Sequence, residues 1–144
     1  MSNIFVVGYD DSDAARRALD FAVSRAKAQG GEIVVAHVLE WSPYSFLTPT
    51  ELEERHKRRQ QELERAETAI LAPVLEKLES SGLKARGAMR YGQIADTICD
   101  IAREEKAEQI IVGRHGEGGL ARRVFGSVAG TLTQIAPVPC TIVP

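Results

Sequence analysis

Five glycines fall within fourteen residues, Gly113-Arg114-His115-Gly116-Glu117-Gly118-Gly119-Leu120-Ala121-Arg122-Arg123-Val124-Phe125-Gly126, and Ser127 follows them. Glycines let a backbone turn through positive φ and bring its N–H groups close to a ligand, so such a stretch can wrap phosphate oxygens. Gly126-Ser127 then opens a helical stretch, Ala129 to Ile135, whose unpaired N–H groups and positive dipole end favour an anion. Ser127 can cap that helix or offer its hydroxyl to a phosphate. Charge agrees: residues 113–144 carry Arg114, Arg122 and Arg123 against Glu117 alone, in a chain of formal net charge −2. The competing reading is a surface loop with a serine cap, and glycine content by itself does not separate the two.

Two familiar nucleotide motifs can be tested. The phosphate loop of many nucleoside triphosphatases is excluded, because no Gly-Lys-Ser/Thr occurs. Gly116-x-Gly118-x-x-Ala121 fits the dinucleotide fingerprint, but no Asp or Glu follows Glu117 to hold a ribose 2′-hydroxyl, so a dinucleotide site is not expected. His37, His56 and His115 form no paired spacing that would hold a metal or orient a nucleophile. His115 reads as an exposed loop residue, His37 as a packed residue near a strand end, and His56 as part of a charged helix. Asp10 and Asp11 are neighbours, and neighbours on an extended chain point to opposite faces, which argues against their sharing one ion. Magnesium is expected on the phosphates themselves, keeping most of its waters. The expectation is binding with slow or no turnover, at most a weak ATPase or autophosphorylation, and neither catalytic nor metal-ligating residues are assigned.

The elements that must position these residues are legible from periodicity. Residues 4–8, 33–39, 109–113 and 138–143 are short β-branched runs, and 84–91 is a weaker one. The first three are apolar on consecutive positions, as in strands covered on both faces. Between them run helical patterns: Ala14, Ala18, Phe21, Ala22 and Ala26 after Ser12, and Ile94, Ile98, Ile101 and Ala102 after Gly92. A long middle helix opens with the capping box Thr50-x-x-Glu53, carries a stripe from Leu63 to Leu78, and should kink at Pro73. Its first turns are almost wholly charged. The predicted fold is a single α/β domain over residues 1–144, a five-stranded, mostly parallel, Rossmann-like sheet with helices on both faces. Ligands of such sheets bind beyond the carboxyl ends of the strands. That selects Gly8 to Ser12, Val38 to Trp41, Tyr91 to Ile94, and Gly113 onward.

Composition bounds the partners. Apolar residues make up 44% and charged residues 26% of 144, an ordinary globular balance. The basic cluster Lys57-Arg58-Arg59 is flanked by Glu53, Glu54, Glu62 and Glu64 and reads as a solvated helix face, so no nucleic-acid or membrane surface is expected. The N-terminus lacks an export signal and no stretch is long and apolar enough for a membrane span, which points to the cytoplasm. Cys99 and Cys140 sit in apolar stretches without metal or redox spacing and read as buried and inert. The last strand leaves an uncovered edge at 138–143, the kind that pairs with a second copy, although Pro137 and Pro139 limit which groups can pair.

With these features placed, the chain resembles the universal stress protein family, whose ATP-binding members carry Gly, two residues, Gly, nine residues, then Gly-Ser or Gly-Thr. Gly113, Gly116 and Gly126-Ser127 keep that spacing, and Asp10-Asp11-Ser12, His37-Val38, the Gly92 turn and Val138-Pro139-Cys140-Thr141-Ile142-Val143 fall in the family's order. The resemblance implies an adenine-nucleotide α-hydrolase-like fold binding ATP, or AMP or ADP. Gly8, Tyr9 and Asp10 would lie against adenine and ribose, with Asp10 accepting from ribose hydroxyls. Val38 would meet the adenine edge through its backbone, Val112 and Gly113 would flank the nucleotide, and Gly116, Gly126, Ser127 and Val128 would hold the phosphates. It also implies a homodimer, acting as a nucleotide-state sensor or regulator in a stress response through a protein partner that the sequence does not identify.

Two departures stand out. Gly8-Tyr9-Asp10-Asp11 replaces the commoner Pro or Ala and small residue before a single Asp, so Tyr9 could crowd or stack on the base. Arg114 replaces a common Ser and is read as a cation for phosphate. The alternatives are an interaction domain that does not use ATP and a nucleotide-consuming enzyme. A nucleotidyl transferase would need a basic-histidine signature where Ser12-Asp13-Ala14-Ala15 stands.

Overall fold

The computed structural model describes residues 3–40, 48–115 and 127–144. In chain order its elements are β1 (Ile4–Gly8), α1 (Asp13–Gln29), β2 (Glu32–Glu40), α2 (Pro49–Ala66), a π-helical segment (Glu67–Leu71), α3 (Ala72–Ser80), β3 (Ala85–Gly92), α4 (Ile94–Glu105), β4 (Gln109–Gly113), α5 (Ser127–Ile135) and β5 (Cys140–Val143). The five strands form one sheet in the order β3-β2-β1-β4-β5. Every pairing is parallel, so the sheet is parallel throughout.

The consecutive apolar residues of the inner strands divide by alternation. Phe5, Val7, Ile33, Val35 and Ile111 face α1 and the middle helix, where they pack with Ala18, Ala22, Leu71 and Leu78. Val6, Val34, Ala36, Ile110 and Val112 face α4 and α5, packing with Ile98, Ile101, Ala102, Ala129 and Leu132. Two helical layers therefore sandwich the sheet. The chain winds outward from β1 to β3, then crosses back under α4 to start again at β4, so the winding reverses between β1 and β4. In open α/β sheets that reversal is where a crevice forms.

Alanines at positions 14, 18, 22 and 26 give α1 a narrow buried face, and Ser12 caps it by accepting from Ala15 N at 3.1 Å. The narrow face lets α1 press onto the end of β4. A Cβ added to Gly113 would lie 2.8 Å from the Ala14 carbonyl carbon, its oxygen and its Cβ. Only glycine fits there.

The middle helix departs from expectation in two ways. Its cap is Thr48, which accepts from Glu51 N at 3.2 Å, so the expected box at Thr50 and Glu53 lies inside the helix. Thr48-Pro49-Thr50-Glu51 has the same pattern with proline at the first helical position, where its missing N–H costs nothing. The disruption expected at Pro73 takes the form of the π-helical segment, in which Ala72 N–H reaches back to Glu67 O. A wider turn relieves the conflict between the proline ring and the carbonyl four residues earlier. Of α2 only Ala66 is buried. The helix is tied to the sheet edge by Tyr91, whose hydroxyl bonds Glu62 and whose ring lies 5.5 Å beneath the Arg59 guanidinium. Desolvation, then Glu62, push that hydroxyl up to about 12. At the other edge, β5 begins at Cys140 instead of Val138: Pro139 has no N–H for the ladder, though its carbonyl accepts from Ile110 N. Among the described residues no helix is long and apolar enough to cross a membrane.

The Gly113 contact predicts that Gly113→Ala destabilises the fold by about 1–3 kcal/mol, because backbone atoms cannot rotate away from the added methyl. Urea unfolding measures this, and a loss under about 0.5 kcal/mol would contradict the close approach of α1 to β4.

Candidate nucleotide cleft

At the carboxyl end of the sheet, alternation places Gly8, Val38 and Val112 on the face covered by α4 and α5. A Cβ on Gly8 would stand 2.9 Å from Val112 Cγ1 and 3.1 Å from Ile98 Cδ1, and Val38 packs into the same cluster. A cleft of about 260 Å³ opens nearby, walled by Glu40 from β2, by Gln93 to Asp96 at the start of α4, and by Ser127, Val128 and Thr131 at the start of α5. The first turns of two helices thus converge on one space. Gln93, at the cap position of α4, makes no capping bond with its side chain. Two carboxylates line the same cleft, Glu40 from β2 and Asp96 from the first turn of α4 itself.

The turn from β1 to α1 is held by a set of short polar contacts. Tyr9 N donates to Ala36 O at 2.8 Å, and Tyr9 O lies 2.7 Å from Nδ1 of the buried His37. A carbonyl can only accept, so this nitrogen carries the proton. Asp10 Oδ1 accepts from Ser12 N at 3.1 Å and from Ser12 Oγ at 2.5 Å. Asp11 takes the left-handed conformation, with φ of 61°. Its Oδ1 accepts from Tyr9 OH at 3.1 Å and from Arg16 at 3.0 Å. Arg16, then the Tyr9 hydroxyl, hold the Asp11 carboxyl below its ordinary value. Burial, then Asp11, raise the Tyr9 hydroxyl.

The expected site residues fare differently. Gly8, Val38 and Val112 share one face, Ser127 and Val128 wall the cleft, and Asp10 follows Gly8 by two residues. Tyr9 is a correction: its ring is buried on the opposite face with Phe5, Val7 and Ala18, so it does not stack on a base in the cleft. Gly113 faces α1. Arg114 is exposed; its N–H donates to Val143 O and its Nε lies 3.3 Å from His115 Nε2. His115 is half-buried instead of exposed, and its Nδ1 is enclosed without a hydrogen-bond partner among the described residues. Gly116 and Gly126 lie outside the described residues. Asp96 and Thr131 escaped the sequence reading, although Ser127 and Thr131 stand one turn apart, a spacing that puts both on one helix face. Cys99 is buried and Cys140 half-buried; desolvation raises both thiols, Cys140 to about 11, away from the reactive range.

The universal stress protein family profile matches residues 1–144. The chain belongs to this family. It is 31% identical over 147 residues to the universal stress protein YxiE of Bacillus subtilis, covering 99% of each chain. To a universal stress protein of Thermus aquaticus it is 33% identical over 144 residues, again covering 99% of each. Its fold is similar to that of the universal stress protein UspA of Lactobacillus plantarum, with a TM-score of 0.85 at 22% identity over 100% of this chain and 99% of that one. Two further neighbours are solved with ligands: a universal stress protein in complex with cAMP (TM-score 0.64, 22% identity, 99% and 97% coverage) and that of Archaeoglobus fulgidus with dAMP (0.63, 23%, 100% and 98%). Within the universal stress protein fold, the Tyr9-Asp10-Asp11 segment of this chain divides cleanly: Tyr9 and Asp11 bond one another, and Asp10 bonds Ser12.

The Asp11 contacts carry a pH signature. Its folded value is depressed, so the stability it contributes is present above its ordinary value of 3.8 and is lost as pH falls through the lower folded value. Asp11→Asn should therefore be less stable than wild type at neutral pH, with the gap closing below pH 3.8. Urea unfolding across that range checks it, and a gap independent of pH would contradict the charge contribution.

Proposed function

We propose that this chain binds an adenine nucleotide in the cleft between the carboxyl ends of β1, β2 and β4 and the first turns of α4 and α5. The carrying observation is that Gly8, Val38 and Val112 lie on one face at the reversal of the winding, next to a cleft onto which two helix N-termini open. Apolar strand ends suit a flat base, and helix amides suit phosphate. The family relatives solved with cAMP and with dAMP support the same ligand class. In this reading Val38 meets the adenine edge through its backbone, Asp10 accepts from ribose hydroxyls, and Tyr9 contributes its backbone alone. Ser127, Val128 and the Gly116–Gly126 stretch take the phosphates, with Arg114 as a neighbouring cation. Magnesium would arrive on those phosphates, and Glu40 and Asp96 offer the oxygen donors this ion takes.

The proposed role is a nucleotide-state sensor or regulator in a cytoplasmic stress response, with slow or no hydrolysis, read by a regulatory protein. We further propose a homodimer through residues 138–143, because β5 is an edge strand and all four of its residues are only partly covered.

Calorimetry with AMP, ADP and ATP, with and without magnesium, tests the binding: one site per chain is expected, with Ser127→Ala roughly tenfold weaker for phosphate-bearing ligands. No heat with any nucleotide would favour an interaction domain that does not use ATP, and phosphate release within seconds would make the protein an enzyme. For the dimer, sedimentation equilibrium at micromolar concentration should give twice the chain mass; a lone monomer would contradict it.

A further inference from the structure

We propose that Tyr9, Asp11 and Arg16 form a clamp that positions Asp10 for the ribose, with Asp11 acting as a positioning residue. The inference rests on the nucleotide reading above. Asp10 and Asp11 are adjacent carboxylates, and a second negative charge beside the first would repel a nucleotide phosphate. The chain separates them by taking the left-handed conformation at Asp11, which among non-glycine residues Asp and Asn adopt most readily and which local contacts can hold in place. Here those contacts are visible. Tyr9 OH and Arg16 both donate to Asp11 Oδ1, at 3.1 and 3.0 Å, and Arg16, which also pairs with Asp13 at 2.9 Å, offsets part of the charge. Tyr9 is itself immobile: its ring is in the core, its N–H bonds Ala36 O, and its carbonyl bonds His37. Rigidity thus passes from β2 through Tyr9 to Asp11. The next residue, Ser12, holds Asp10 Oδ1 with both N–H and Oγ while capping α1, so the setting of Asp11 sets the orientation of the Asp10 carboxylate.

The clamp differs from a purely structural contact in what it should discriminate. If it acts through Asp10 on ribose hydroxyls, loosening it weakens AMP but leaves 2′,3′-dideoxy-AMP untouched. The experiment is calorimetry of both ligands with the wild type, Tyr9→Phe, Arg16→Gln, Asp11→Gly and Asp11→Asn. Expected are a three- to tenfold loss for AMP in Tyr9→Phe, Arg16→Gln and Asp11→Gly, roughly one hydrogen bond's worth, with dideoxy-AMP within twofold. Asp11→Asn, which tolerates the left-handed conformation and keeps an acceptor for Tyr9, should recover most of the AMP affinity. Arg16 is half-exposed, so Arg16→Gln carries the test if Tyr9→Phe fails to fold. Equal losses for both ligands, or none for either, would overturn the clamp while leaving the nucleotide reading intact. A wild type that binds neither ligand would overturn that reading, and the clamp with it.

Discussion

Val6, Val7, Val34, Val35, Ile110 and Ile111 are all removed from solvent, and each stands in a strand bonded in parallel to a neighbour on either side. That double burial constrains everything else. A strand pairing on both edges satisfies its backbone groups within the sheet, but its side chains then need cover on both faces, and only helices carried by crossover connections can supply it. Right-handed crossovers put α1 and the middle helix on one face and α4 and α5 on the other. All five strands then end at the same side of the sheet, and α4 and α5, packed on one face, bring their first turns together there. The cleft is a consequence of covering the core.

Small residues refine this frame. The alanine face of α1 and the bare Gly113 let helix and strand approach to backbone contact. This fixes where α1 begins and therefore where the preceding turn, Tyr9 to Ser12, must lie. The turn is overdetermined: backbone bonds to β2, the Ser12 cap and the Tyr9–Asp11–Arg16 contacts all act within four residues. A segment held that firmly can present a carboxylate at a set angle.

Much of the fold was legible because inner strands advertise themselves as apolar runs stopped by glycine or polar residues; β1 and β4 fall at the expected bounds for that reason. Local chemistry was harder to read. Thr48 and Thr50 each start a capping pattern, and Pro49 between them decides in favour of the first. Pro73 was legible as a disruption but not as a π-helical turn, because a proline bars the regular helical bond without dictating what replaces it. In the site, parity could have assigned Tyr9: it is in step with Phe5 and Val7, not with Val6 and Gly8. Gly113 matched a ligand-binding spacing yet faces α1, since packing and binding demand the same absence of a side chain. Asp11 could not be read from sequence, because its conformation depends on Arg16 one turn into the next helix.

Amide chemical-shift mapping of the isotope-labelled protein during titration with AMP addresses the central claim most directly. Shifts should concentrate at Gly8, Asp10, Val38 and Val112 and in the first turns of α4 and α5, with α2 and the outer edge of β3 unmoved. A saturable response confined to α2, or to β3 away from its carboxyl end, would contradict the placement of the nucleotide at the reversal of the sheet.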